Sequence, residues 1–165
     1  MLAKRTRLAS KRRRGSYFIE FSLSFWPLFV LLLGIIDFSM PIFVRSAFTN
    51  AVREGARYAT TYQYLPGKNH TESIRQIVVQ NSCGFLSEAD AESKVQIKFY
   101  SPTSFQEVTS GVKNADGNIV EVGIANHNYN WMVPLQWGPT PITYNIRVAE
   151  RLETLPRGAI RPGTS

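Results

Sequence analysis

Two residues near the N-terminus have types and a spacing that could support chemistry. Glu20 is an ionisable residue in an apolar segment, and Gly15 ends a basic run five residues earlier. If the chain were cut after Gly15, Ser16 would carry a free amine and Glu20 would be the fifth residue of the product. Its carboxylate could neutralise the amine of a neighbouring subunit, which would turn two unpaired charges into an ion pair at low dielectric constant.

A simpler interpretation of Glu20 stays open. An acid at membrane depth costs at least ~2.5 kcal/mol on insertion scales, and such a residue therefore indicates a functional role by default. Glu20 lies one helical turn from the basic edge, however, so its side chain could reach the interface and avoid part of that cost.

The positive charge of the chain is concentrated ahead of this acid. The chain has 165 residues and a formal net charge of +7, and residues 1–15 hold seven cations and no acid. The remainder holds twelve basic and twelve acidic residues. We interpret residues 1–15 as a basic leader that keeps the N-terminus in the cytoplasm under the positive-inside rule. A basic arm that binds nucleic acid is the competing interpretation, and we expect no nucleic-acid partner.

A long helix must position Glu20. Residues 21–36 carry no charge, and the apolar pattern continues past Asp37 to residue 44. This length suits a bilayer core of ~30 Å, so we predict a transmembrane helix over 16–44. Asp37 is expected near the outer interface. The alternatives are that it caps a break near Pro41 or pairs with Arg45, which lies two turns on and beyond direct i,i+4 reach.

Beyond the span, the pattern predicts an amphipathic continuation of the helix over 45–64. Ala51, Gly55 and Ala59 are four residues apart and form a small-residue face that would allow helix packing. A solvated helix face is the alternative.

Residues 65–153 predict a small extracytoplasmic head. Asn69 and Glu72 have capping-box spacing ahead of one short helix, and residues 87–93 read as an acidic linker or turn. Apolar residues alternate over 95–99, 120–124 and 142–148, which predicts a roughly three-stranded antiparallel sheet. The predicted fold class is therefore α+β, a long N-terminal helix followed by a small head, with a disordered tail over 154–165.

No catalytic motif, cofactor site or metal site is predicted. The only cysteine, Cys83, is expected to be a small buried apolar residue. His70 and His127 are interpreted as loop or strand residues without ligand spacing. Trp131 and Trp137 are interpreted as core packing rather than as a binding patch or an interface belt. We therefore predict a structural protein rather than an enzyme.

At this point the sequence resembles a known family. A basic leader, Gly15, then Glu20 and Phe21 ahead of a retained span look like a type IV prepilin. More specifically, IEFSLSFWPLFVLLLGIIDF at 19–38 and NAVREGARYA at 50–59 resemble the TadE-like pseudopilins, minor pilins of the tight-adherence (Flp, type IVb) apparatus. The final IRVAERLE is loosely similar to the family's last strand.

The resemblance implies partners and a location. A prepilin peptidase would cleave between Gly15 and Ser16, and Glu20 with Phe21 would act in N-terminal amine pairing during assembly. The mature helix would lie in the bacterial inner membrane, with the head outside the cytoplasm. Other pilins and the inner-membrane assembly platform would be its partners.

Two alternatives remain at this stage. The first is an uncleaved, single-pass anchor that carries an extracytoplasmic binding or sensor head. The second is a pseudopilin of a type II secretion system, which would share the cleavage but would normally show a different helix pattern after Glu20.

Overall fold

Three helices and one antiparallel sheet make up the fold. A computed structural model describes residues 9–131, 141–155 and 160–164. The elements are, in chain order, α1 (Ala9–Thr60), α2 (His70–Gln80), α3 (Glu88–Lys94), β1 (Val95–Tyr100), β2 (Ile119–Tyr129) and β3 (Ile142–Arg151). The predicted α+β class, with its long N-terminal helix and three-stranded sheet, is confirmed.

Helix α1 has two halves with different surroundings. It runs for 52 residues through Pro27 and Pro41, and it begins inside the predicted leader. All residues from 16 to 32 are exposed, although most of them are large and apolar. By length and composition, Ser16–Thr60 contains a stretch able to cross a membrane. From Val44 onward, one side of the helix is buried against the head instead.

The core of the head forms where the apolar face of the sheet packs against one side of α1. The sheet order is β1-β2-β3, and all neighbours are antiparallel. Val120, Val122 and Ile124 of the central strand are fully buried, and they pack in one core with residues of α1 such as Phe48 and Val52. Alternation places these strand residues on one face, and the 3–4 spacing places the helix residues on one stripe.

The connection into α2 follows its local sequence signal. Asn69 Oδ1 accepts a hydrogen bond from the Glu72 N–H at 2.8 Å, and Glu72 Oε2 accepts one from the Asn69 N–H at 3.2 Å. This reciprocal capping box confirms the prediction for the start of the short helix.

The acidic segment before β1 is a helix, so the prediction of a linker or turn was wrong. Ser87 caps α3 by accepting a hydrogen bond from the Asp90 N–H, and Lys94 pairs with Asp90 at 3.0 Å, one turn along. The hydrogen bond from Lys94, and then the one from Ser87, lower the pKa of Asp90. The serine cap and the i,i+4 ion pair thus stabilise a helix in this segment, although its polar composition is typical of a linker.

Residues 160–164 are held against the head, where the sequence predicts disorder over 154–165. The Pro162 carbonyl accepts a hydrogen bond from Asn114 Nδ2, and the Gly163 carbonyl accepts one from the His70 N–H, both at 2.9 Å. Arg161 forms an ion pair with Asp116. The disorder prediction is therefore wrong for residues 160–164, because two backbone carbonyls and the Arg161 side chain hold this segment.

Two smaller predictions also need correction. Cys83 is exposed rather than buried, because it lies in the turn after α2 with a left-handed φ of 55°. His70 is the first residue of α2 and is fully buried, whereas His127 lies in β2 as expected.

Candidate functional site

The candidate assembly residues lie on the exposed half of α1. Ser16 and Glu20 are one helical turn apart, and both side chains are exposed. Residues four apart lie on the same face of a helix. The carboxylate of Glu20 is therefore accessible from outside the chain, as pairing with a second subunit would require.

Phe21 belongs to a column of aromatic rings beside this carboxylate. Its ring centroid lies 5.7 Å from that of Phe25, which lies 5.8 Å from that of Phe29, with 19° between the planes in each pair. Stacking at i,i+4 spacing restricts the rotamers of these side chains. The column gives the helix a defined apolar surface next to Glu20, suited to packing against another apolar helix.

The predicted cleavage point lies within helical backbone. α1 begins at Ala9, six residues before Gly15, so the Gly15–Ser16 peptide bond is part of the helix. Glycine is about 1 kcal/mol less favourable than alanine inside a helix. Gly15 is therefore a point at which the helix can be opened with less loss of stability.

The small-residue face at 51–59 contacts the head of the same chain. Ala51, Gly55 and Ala59 are all buried. A Cβ atom added to Gly55 would lie 2.5 Å from Val78 Cγ2 in α2 and 3.5 Å from Val122 Cγ1 in β2. Absence of a side chain at Gly55 thus allows α2 to approach α1 closely.

Asp37 is covered by the head. Only 6 % of Asp37 is exposed, and one turn further along α1 the Tyr144 hydroxyl donates a 2.8 Å hydrogen bond to the Pro41 carbonyl. Burial, and then the nearby charge of Asp37, raise the pKa of Tyr129 in β2. The sequence pattern predicts Asp37 near the outer interface but does not predict that residues of β2 and β3, about ninety positions or more further along the chain, cover it.

Of the two tryptophans predicted to pack in the core, Trp131 contacts α1. Its ring meets the ring of Phe38 edge-on, with 5.5 Å between centroids. This contact is with the helix and not with the centre of the head. Trp137 lies outside the residues that the structure describes.

His70 is a buried titratable residue that the sequence did not single out. Its ring is fully buried and stacks on the ring of Tyr62, with 6.1 Å between centroids. Burial lowers the pKa of His70 from 6.5 to about 4, and the opposing effect of the Ala59 carbonyl is smaller. The unfolded chain therefore binds a proton at a higher pH than the folded head does.

We expect the head to lose stability as the pH falls from ~6.5 to ~4, because protons bind the unfolded chain first over this range. At ~1.4 kcal/mol for each unit of pKa difference, the loss approaches roughly 3 kcal/mol. The measurement is the denaturant midpoint of the full chain in detergent as a function of pH. His70→Phe should flatten most of the dependence, leaving the smaller part due to His127. An equally steep dependence in His70→Phe would contradict this assignment.

No metal centre is apparent in the part of the chain that the structure describes. There, no group of three or more His, Cys, Asp or Glu side chains is arranged to hold an ion.

Comparison with known proteins gives a match to a family model. The family model described as TadE-like protein matches residues 15–57. This segment is TadE-like. The resemblance seen in the sequence is thus confirmed over these residues. No curated protein and no solved structure matches the chain.

The TadE-like segment includes most of α1. It begins at Gly15 and ends three residues before the helix does, so it contains both the exposed apolar half and the half that contacts the head. The TadE-like family is a structural, pilin-like family. The match coincides with the part of α1 that is long and apolar enough to cross a membrane.

Proposed function

We propose that this chain is a minor pilin or pseudopilin of a tight-adherence (Flp, type IVb) pilus. A prepilin peptidase cleaves it between Gly15 and Ser16. The mature helix stays in the inner membrane with the head outside the cytoplasm, and the protein takes part in assembly of a pilus used for adhesion or secretion. Its partners are the peptidase, other pilins and the inner-membrane assembly platform.

The observation that carries this proposal is where the TadE-like match falls. It starts at Gly15, contains Glu20, and continues along a helix whose first half is exposed and apolar. An apolar helix half that the described residues leave exposed needs lipid or other apolar helices around it. A pilin meets both environments in turn, the membrane before assembly and neighbouring helices afterwards.

Processing fits the local structure as well. Seven cations in residues 1–15 hold the N-terminus in the cytoplasm before cleavage. Glycine at 15 has no side chain to block a narrow protease cleft, and it weakens the helix that the peptidase must open. An uncleaved anchor with a ligand-binding head would use the same cations, but it would need neither of these two properties of Gly15.

We expect Gly15→Val to leave an uncut precursor in the membrane, because a β-branched side chain blocks the cleft and stiffens the backbone. The measurement is the N-terminal sequence and intact mass of protein extracted from host membranes, for the wild type and the variant. The wild type should begin at Ser16, and the variant should retain its leader. Gly34→Val, at another helical glycine with open space around it, is the matched control and should be processed normally.

Two results would contradict the proposal. A wild-type chain that keeps its leader in a host with active prepilin peptidase would favour the uncleaved anchor. A Gly15→Val protein of normal processed mass would remove the site assignment.

A further inference from the structure

Three large apolar residues of α1 are exposed at the level where the head begins. Phe38, Ile42 and Phe43 are 70 %, 71 % and 53 % exposed. They continue the apolar surface of the span, and two of them, Phe38 and Phe43, also touch rings of the head at the edges of this surface. Arg45 is the first charged residue after them. We call these three residues the base patch.

The head covers the opposite side of these same helical turns. Asp37 is buried there, and Tyr144 bonds to the Pro41 carbonyl. At the edge of the exposed side, Trp131 contacts Phe38. Phe85, from the segment between α2 and α3, meets Phe43 edge-on with 5.9 Å between centroids. The base patch and the lowest part of the head therefore form one continuous aromatic surface around α1.

The lengths along α1 match the layers of a bilayer. Residues 16–36 span ~31 Å as a helix, close to the hydrocarbon thickness of ~30 Å. The seven helical steps from Phe38 to Arg45 rise ~10 Å, which is comparable with the interfacial layer that surrounds that core. Aromatic residues are enriched in that layer, where an apolar ring lies close to polar headgroups.

We infer that the base of the head is seated in the membrane interface and is not held above it in water. The occupant of the base patch is lipid, because the patch is continuous with the lipid-facing surface of the span and is rimmed by aromatic rings. The hydrocarbon core ends at about Asp37 on this basis, and not at residue 44 as the sequence pattern predicts. This inference goes beyond the proposed function and holds even if the chain is an uncleaved anchor.

Placement of the base of the head in the membrane interface also shields Asp37 from lipid, which the transmembrane helix alone could not do. At the end of the hydrocarbon core an exposed carboxylate would face lipid, which is unfavourable. The head removes Asp37 from lipid by packing over it, with Tyr129 and Tyr144 of the sheet close by. Head and span therefore meet inside the membrane interface.

Tryptophan fluorescence can measure this depth in the full-length chain. Trp26 and Trp137 are replaced by Phe, which leaves Trp131 as the reporter in dilute phosphatidylcholine vesicles. Nitroxide groups are placed on the headgroup, at the top of the acyl chain or at its end. A second reporter, Phe43→Trp in a chain without other tryptophans, tests the lipid side and keeps an aromatic ring in place.

The matched control is Tyr64→Trp in the same tryptophan-free chain. Tyr64 is 54 % exposed and follows the far end of α1, which is ~33 Å above Phe38 by helical rise. We expect headgroup and upper-chain nitroxides to quench both base reporters several-fold more than they quench the control. Aqueous iodide should show the opposite preference.

Three outcomes would overturn the inference. Base reporters that iodide quenches as readily as it quenches the control would place the head in water. Strongest quenching from the end of the acyl chain would place Phe43 and Trp131 in the hydrocarbon core. Quenching of Phe43→Trp by neither lipid nor iodide would mean that a protein partner covers the base patch.

Discussion

Replacing Gly55 by valine should destabilise the head by roughly 3 kcal/mol, at the upper end of the usual range for an over-packed core. The added Cβ alone would lie 2.5 Å from Val78 Cγ2, and Val122 and Ile74 lie within 4 Å behind it. Val78 is fully buried and its branched side chain has few other rotamers, so α2 itself would have to move. Since a domain is typically stable by only about 5–15 kcal/mol, this is a large fraction of the total.

The experiment is denaturant unfolding of the full chain in detergent, followed by near-ultraviolet circular dichroism of the head aromatics. Gly34→Val is the control in the same helix, because nothing lies within 4 Å of a Cβ at that position. Its unfolding midpoint should stay close to that of the wild type.

A double-mutant cycle separates the clash from other effects. Gly55→Ala should be destabilising alone, and Val78→Ala should be destabilising alone because it leaves a cavity. Together they should cost less than their sum, because the second change removes the methyl group that the first one strikes. Additive effects, or a stable Gly55→Val protein, would show that α1 and α2 do not rely on this contact.

The elements predicted correctly are those with a local signal or a one-sided environment. Val120, Val122 and Ile124 alternate because only one face of β2 meets the core, and this burial leaves a period of two in the sequence. The capping box at Asn69 involves residues three apart, so it is readable without tertiary structure. For α3, the helix-start signal is a serine followed three residues later by Asp90, but the acidic composition of the segment favours a linker.

What could not be predicted depends on contacts between distant segments. The tail residues 160–164 are held through the carbonyls of Pro162 and Gly163, and a backbone carbonyl leaves no trace in side-chain pattern. The burial of Asp37 depends on strands that follow it by about ninety positions or more in the sequence. Glu20 is different again, because its proposed partner is in another subunit and a single chain cannot contain that contact.

Replacing Glu20 by alanine should leave cleavage intact and reduce assembly more than tenfold. The physical reason is that the amine of Ser16 would lose its proposed partner when helices pack side by side in an apolar environment. An unpaired charge there costs at least ~2.5 kcal/mol, and each ~1.4 kcal/mol is a factor of ten in an equilibrium. The head should fold normally, because Glu20 is exposed and lies far along α1 from the head's contacts.

Two further substitutions distinguish charge from size at this position. Glu20→Gln keeps the length and hydrogen-bonding capacity of the side chain but removes its charge, so it should assemble about as poorly as Glu20→Ala. Glu20→Asp keeps the charge on a shorter side chain and should assemble to an intermediate degree. Ser22→Ala is the matched control, because its hydroxyl donates a 2.8 Å hydrogen bond to the Phe18 carbonyl of its own helix.

Three readouts in the native host decide the matter: the amount of processed protein in membranes, the amount of sheared pili, and co-purification with other pilins. Normal processing with loss of pili in Glu20→Ala and Glu20→Gln would support pairing between subunits. If Glu20→Gln assembled like the wild type, the charge would be dispensable and the side chain would act by shape or hydrogen bonding. Unchanged pili in every variant would leave Glu20 as an acid that merely reaches the interface, because its position one turn from the basic leader already permits that.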